Sequence, residues 1–359
     1  MSSVSHRGDW RPTASLEILE RRAQLLGAVR AFFWQRGFLE VETPLLSADT
    51  IVDRHIDPLA VPIPPPSVKR STPKAALENE AATVNHDSPA WVAGWDRDQF
   101  VRQMWLQTSP EFGMKRLLAA GASAIFQITK AFRWAERGPL HNPEFTMVEW
   151  YRVGDGLEAG MGLLAELAQV VLTTAPAEFV RYKEVFELYT GVDPLRASGS
   201  QLATVADLHG VPTPDIPYED TDSWRELLFA ELVQPHLGWQ RPTIVYDFPA
   251  TQGGLAKIRS DDPPVAERYE LFIRGIELAN GYHELSDAGE LRRRFEENNR
   301  WRVRDGKLSL PQESWLAQAL EEAGFPDCCG CALGFDRLVM LAVGATSIDE
   351  VIPFPFERA

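Results

Sequence analysis

Apolar residues recur at near-helical spacing from Leu16 to Arg36 (Leu19, Ala23, Leu26, Val29, Phe33), which predicts an amphipathic helix ended by Gly37. Phe38–Glu42 reads as a strand, broken by Pro44. A strand running through Thr108 leads into a helix from about Pro110 to Ala120, with Ser109 placed as its N-cap. "AIFQITKAFRW" and "HNPEFTMVEWYR" form a hairpin with a long tip. On its second strand, alternate residues Phe145, Met147, Glu149 and Tyr151 share a face. The first two read as core; an acid and a phenol following them do not. Leu157–Thr173 is a helix, and Tyr182–His236 is a set of helical pieces broken by proline. "PTIVYDFP" is a buried strand, "ERYELFIRGIELANGYHEL" a second hairpin, and "GCALGFDRLVMLAVG" a strand entering a helix. Strands come as hairpins rather than alternating with single helices, so the expected fold class is α+β with an antiparallel sheet.

From Pro58 to about Asp98 the pattern fails. The stretch is rich in Pro, Ala, Ser, Thr and charge, and its middle, 64–89, is expected to be a flexible insertion that buries little. The full chain of 359 residues is 45% hydrophobic and 24% charged, ordinary for a protein with a sizeable core. "MSSVSHRGDW" has no apolar run and no stretch approaches a membrane span, so a cytoplasmic protein without a membrane partner is expected. Net charge is −15 and basic residues are scattered, which argues against a long nucleic-acid footprint. The densest basic run, Leu291–Arg304, reads as a solvated helix face, although a small local contact stays open. Cys328, Cys329 and Cys331 read as small buried residues rather than a disulfide or metal framework.

Candidate chemistry lies on the hairpins. With Arg274-Gly275 as the turn, Phe272 pairs with Glu277 and Glu270 with Ala279, so Glu270 and Glu277 share a face. Two carboxylates so placed either hold a cation such as Mg²⁺ or form an exposed acidic face. Arg337 lies in the first turn of the last helix, where an anion is favoured; it either serves a phosphate or pairs with Asp336. Arg133 ends the first strand of the opening hairpin and reaches over the face of Glu149 and Tyr151.

"RGFLEVETPLLS", "FRWAERGPLHNPEF" and "GCALGFDR" resemble, in order, the three motifs of class II aminoacyl-tRNA synthetases of the lysine type. "TSPEFGMKRLL", "HNPEFTMVEWYR" and "GIELANGYHEL" are similar to the elongation factor P lysine ligases, truncated paralogues of lysyl-tRNA synthetase. The resemblance runs from about Ser15 to the end, outside the insertion. It implies one class II catalytic domain over 1–359, no anticodon-binding domain, and a homodimer built on the first motif. It implies ATP-dependent activation of lysine, preferably (R)-β-lysine, as an adenylate, and transfer to a lysine side chain of elongation factor P. It further implies Arg133 and Arg337 as catalytic arginines, with Asn142, Glu277, Leu278 and Gly334 also at ATP, and Mg²⁺ on Glu270 and Glu277. Ser109, Glu111, Glu149, Tyr151, Glu284 and Ala332 are implied at the amino acid. Two departures stand out: Ala135 occupies the place of a motif 2 glutamate, with Glu136 one residue late, and Ala332 occupies a motif 3 glycine position. The alternatives are a free-standing lysyl-tRNA synthetase-like enzyme charging tRNA, or a synthetase-like regulatory protein without catalysis.

Overall fold

A computed structural model describes residues 10–63 and 102–359; the expected insertion at 64–89 lies outside the described residues. Helix α1 (Leu16–Trp34) starts at Ser15, whose hydroxyl accepts from the Ile18 amide, and is followed by Gly37 at φ +77°. Its inward stripe is Leu25, Val29, Phe32 and Phe33, with Ala23 exposed, so the helix is turned relative to the stripe read from sequence. Each such side chain contributes about 1.5–3 kcal/mol by burial. Strand β1 (Leu39–Glu40) is shorter than expected and pairs in parallel with β5 (Ala124–Phe132). Strands β2 (Leu46–Ser47), β3 (Ala60–Ile63) and β4 (Arg102–Leu106) make a separate small sheet in the order β2-β4-β3. β3 lies at the start of the proline-rich stretch. Being at a sheet edge, it tolerates Pro62. Then come α2 (Glu111–Ala119), β5, β6 (Glu144–Val153) and α3 (Leu157–Leu172).

Beyond them, β7 (Glu178–Arg181) precedes α4 (Tyr182–Thr190), α5 (Gly199–His209) and α6 (Thr221–Leu228). The remaining elements are β8 (Thr243–Pro249), β9 (Ile258–Arg259), β10 (Val265–Ile273), β11 (Ile276–His283), α7 (Ala288–Arg304), α8 (Trp315–Ala323), β12 (Cys328–Gly334) and α9 (Phe335–Val343). The main sheet runs β1-β5-β6-β12-β11-β10-β8-β7, with β9 beside β10. Its strand pairs are antiparallel except β1–β5 and β7–β8.

One sheet face is sealed by α1, α3 and α9 around Phe33, Phe126, Trp150, Leu164 and Leu333. Helices α4–α6 cover the β8–β10 part of the other face through Tyr182, Phe186, Trp224 and Phe272. Next to them, α2, α7 and α8 close a third cluster around Phe112, Phe295 and Leu316. Between the last two groups, the centre of the sheet stays open. The cysteines are free and buried: Cys329 and Cys331 pack in the helix-side core, and Cys328 packs with Tyr151. The basic run is only partly a solvated face. Arg292 and Arg293 pair with Glu321 and Glu290, whereas Arg294 and Arg302 are buried and donate to the carbonyls of Gly254, Ala256 and Asp53.

Candidate active site

The open face is ordered by strand register. Gln127, Glu149, Ala332, Asn280 and Glu270 stand opposite one another across five strands, and Ile125, Tyr151, Gly330, Tyr282 and Arg268 form the adjacent line. Above the sheet lies a cavity of about 840 Å³, a size suited to a small-molecule site. Ser109, Glu111, Arg133, Asn142, Glu149, Tyr151, Glu277, Leu278, Glu284, Ala332, Gly334 and Arg337 all line it. Phe145 and Met147, read as core from sequence, line it as well; the core side of β6 is Val148 and Trp150.

At one end of the cavity, acidic groups gather. Glu149 is fully buried between two donors, Ser109 Oγ at 2.6 Å and the Tyr151 hydroxyl at 2.5 Å. Ser109 also accepts from the Glu111 amide at 3.0 Å, fixing the start of α2 although Pro110 occupies the N-cap position itself. Glu111 and Glu284 hold the ammonium of Lys115 between them, each at 2.5 Å. Burial pushes Glu149 up to about 7, with Glu111 adding to the shift against Ser109, Tyr151 and Lys115. Burial likewise pushes Glu284 up to about 8, opposed by Lys115. Glu284 Oε2 lacks an aligned hydrogen-bond donor despite its ion pair. The floor admits nothing larger than glycine at 330: a Cβ there would lie 2.3 Å from the Tyr151 ring and 2.5 Å from Glu284 Oε1. Gly330→Ala should therefore displace both, at about 1–3 kcal/mol of overpacking. The expected readout is an affinity loss of about 10–100-fold for a molecule bound at this end, with binding at the opposite end of the cavity kept, measured by calorimetry.

Arginines mark the other end. Arg133 donates from Nε to the Thr108 carbonyl at 3.3 Å and lies over the Phe145 ring, its head open to the cavity. Arg337 donates to the Glu277 carbonyl at 2.7 Å and to Nε2 of His141 at 2.6 Å. His141 is held neutral, pushed down to about 4 by burial and by Arg337, so Nε2 has a lone pair to accept with. Asp336 does not take Arg337: it is buried, paired with Arg22 at 2.6 Å and accepting from the Thr146 amide. Asn142 lines the cavity, but its amide is committed to the Glu144 carbonyl and the Phe356 amide, tying the C-terminal segment to β6. The nearest neighbours of a Cβ on Gly334 would be Arg337 and the Leu278 carbonyl, at 3.6 Å or more, so that backbone is not crowded.

The hairpin register differs from the sequence reading. Phe272 does pair with Glu277, but a bulge next to it places Glu270 opposite Asn280 rather than Ala279. Glu270 is buried against Arg268 and is not part of the cavity wall. Its carboxyl is pushed up to about 7 by burial, against Arg268 and with Glu277. Glu277 is on the wall and half-exposed.

Three residues escaped the sequence reading: Lys115, Asn280 and Gly330. Asn280 lines the cavity with a buried Oδ1 that has no partner among the described residues, as does Arg268 with its Nε. Buried polar atoms left so cost free energy unless something binds them. A lysine followed by arginine on a helix reads as surface, so nothing in the sequence pattern singled out Lys115.

The family described as tRNA synthetases class II (D, K and N) matches residues 63–358. A Vibrio vulnificus protein named elongation factor P--(R)-beta-lysine ligase is 43% identical over 353 residues, covering 98% of this chain and 100% of its own. Proteins of that name from Klebsiella pneumoniae and Salmonella arizonae are 43% and 41% identical, each covering 99% of this chain and all of their own. With the second and third motif regions meeting at one cavity, and with relatives matched from end to end, the chain belongs to the class II tRNA synthetases (D, K and N), in the group of the elongation factor P--(R)-beta-lysine ligases.

Proposed function

We propose that this protein uses ATP to activate lysine, preferably (R)-β-lysine, as an aminoacyl-adenylate, and transfers the aminoacyl group to a lysine side chain of elongation factor P. The observation that carries this reading is the division of the cavity. Three buried carboxylates gather at one end, two of them paired with the Lys115 ammonium and the third held by Ser109 and Tyr151, and two arginines stand at the other. Such a site favours a substrate that is cationic along its side chain and anionic at its reacting end.

The substrate carboxylate attacks the α-phosphorus of ATP in line, and pyrophosphate leaves. Arg133 neutralises the two approaching anions, and no protein nucleophile is required. Arg337, at the N-terminus of α9, adds its charge to the helix dipole at the departing phosphates. Glu277, Leu278 and Gly334 line the cavity beside Arg337, and Gly334 leaves room for the nucleotide to approach its backbone. Glu136 lies on the wall 3.8 Å from Arg133, and Ala135 at φ +64° turns the chain there, which supports Glu136 taking the contact that residue 135 lacks. Mg²⁺ fits Glu277 as a hard oxygen donor, and Glu270 if it exchanges Arg268 for the ion; the ion would draw charge from the phosphates. A neutral lysine ε-amine of the acceptor then attacks the adenylate carbonyl, the amide forms, AMP leaves and the nucleophile's proton passes to solvent.

No helix among the described residues is long and apolar enough to cross a membrane. We place the enzyme in the cytoplasm with its acceptor. Leu39 and Leu45 of the first motif, with Trp34 just before it, are exposed apolar groups, which supports a homodimer through that edge.

The test is pyrophosphate exchange with each lysine isomer, followed by mass analysis of elongation factor P. Exchange should require Mg²⁺, run faster with (R)-β-lysine, and be followed by a mass gain on the acceptor. Exchange driven by neutral amino acids but not by lysine would overturn the substrate; charged tRNA with unmodified acceptor would favour the synthetase alternative.

A pH dependence follows. Glu149 and Glu284 are pushed above the ordinary 4.5 in the folded protein by burial. Their stabilising contribution is complete below about pH 4.5 and is lost as pH rises through about 7–8. Bound ammonium groups favour the ionised carboxylates, so lysine affinity should rise over that window. The thermal stabilisation given by saturating lysine should grow between about pH 6 and about pH 8.5; a constant or shrinking increment would contradict the assignment.

A further inference from the structure

Lys115 is one of the most buried side chains of the protein, 2% exposed, on the inward face of α2. A buried ammonium is costly unless paired. Here its pairs are Glu111 on its own helix and Glu284 just past β11, with the Tyr151 ring centroid of β6 at 5.9 Å. Glu149 and Cys328 are the other titratable groups within its field, and Tyr282 stands near Glu111. Burial pushes the ammonium down, but the two carboxylates outweigh it and hold the amine charged. Three acids, Glu111, Glu149 and Glu284, thus face a single resident cation.

We propose that Lys115 is a positioning and specificity-determining residue of the amino-acid pocket. Its ammonium holds the Glu111 and Glu284 carboxylates as a spaced pair and offsets one of three negative charges. Two are left for the two ammonium groups of a diamino acid. Without Lys115, the pocket would set three acids around two substrate cations, leaving one acid uncompensated, and that acid would keep its proton. With it, the filled pocket is neutral once both substrate amines are seated. The discrimination is chemical: an amino acid with a neutral side chain leaves one carboxylate buried without a cation.

This inference rests on the proposed lysine activation, and the two fail differently. Pyrophosphate exchange is measured against pH with lysine, (R)-β-lysine and norleucine, for the wild type, Lys115→Met and Lys115→Arg. No wild-type exchange with either lysine isomer would overturn the functional reading itself. Given wild-type exchange, Lys115→Met should raise KM for the diamino acids at least ~10-fold near neutrality. It should move the acidic limb of kcat/KM up by about one pH unit or more, because the remaining acids lose the cation that favours their ionised form. It should also narrow the preference for lysine over norleucine and leave KM for ATP unchanged. Lys115→Arg keeps the charge: its limb should stay in place, with any KM rise confined to the amino acid. An unmoved limb and unchanged amino-acid KM in a folded Lys115→Met protein would overturn the proposal. Should Lys115→Met not fold, Lys115→Arg decides: equal losses in ATP and lysine KM would mark Lys115 as merely structural and overturn it.

Discussion

Glu284→Gln should lower kcat/KM for lysine by about two to three and a half powers of ten while changing the apparent ATP affinity little. Glutamine keeps the shape of a side chain that is 2% exposed and removes its charge. A buried ammonium deprived of its carboxylate typically costs about 3–5 kcal/mol. Two ammonium groups lose here, that of Lys115 and that of the incoming substrate, because Glu284 Oε2 faces Lys115 without an aligned bond and has acceptor capacity to share. Selectivity is the diagnostic. Glu284 lies at the acidic end of the cavity, whereas Glu277 sits beside Arg337. Glu277→Gln should weaken use of Mg-ATP with a smaller effect on lysine. Steady-state exchange kinetics with each substrate varied in turn separates the two. Normal lysine activation by Glu284→Gln, or an ATP defect equal to that of Glu277→Gln, would show that the pocket is misassigned.

Arg133→Ala is expected to abolish measurable adenylate formation, a loss of about 10²–10³-fold or more in kcat, with ATP still bound through Arg337. Arg133 stands with Arg337 at the arginine end of the cavity, steered by the Thr108 carbonyl and the Phe145 ring. Its charge matters most when two anions, carboxylate and phosphate, are forced together. Lysine substitution should recover only part of the rate, since a compact ammonium cannot serve two anions as a planar fork does. Single-turnover measurement of pyrophosphate release, beside equilibrium ATP binding, checks both statements. Loss of ATP binding in parallel with rate would place Arg133 at the nucleotide alone.

Most elements were legible because local rules set them. Hydrophobic period and turn chemistry placed α1, the Glu144–Val153 strand, the two hairpins and the β12–α9 junction. Arg274 and Gly275, both at positive φ, form the two-residue turn read from the sequence. Motif spacing then named residues that the fold gathers around one cavity, although the chain separates Ser109 from Arg337 by the length of most of the domain.

What stayed hidden depended on long-range register and packing. Strict alternation along β11 puts Glu277 and Glu284 on opposite faces. The bulge inserts one residue, reverses the parity beyond Leu278, and brings Asn280, Tyr282 and Glu284 to the cavity side. The same slip sets Glu270 opposite Asn280. Lys115 is an unremarkable helix residue in the chain, and only the packing of α2 against β6 and the end of β11 makes it a buried counter-ion. Gly330 is required because Tyr151 and Glu284, more than a hundred residues apart in sequence, meet above it. By itself the sequence determined the α+β class, the hairpins and most of the arginines and acids that line the cavity, since these follow from local periodicity and motif chemistry. The tertiary structure alone decided which acids share a cation, which strand face each occupies and which glycine cannot change, because those depend on contacts between segments remote along the chain.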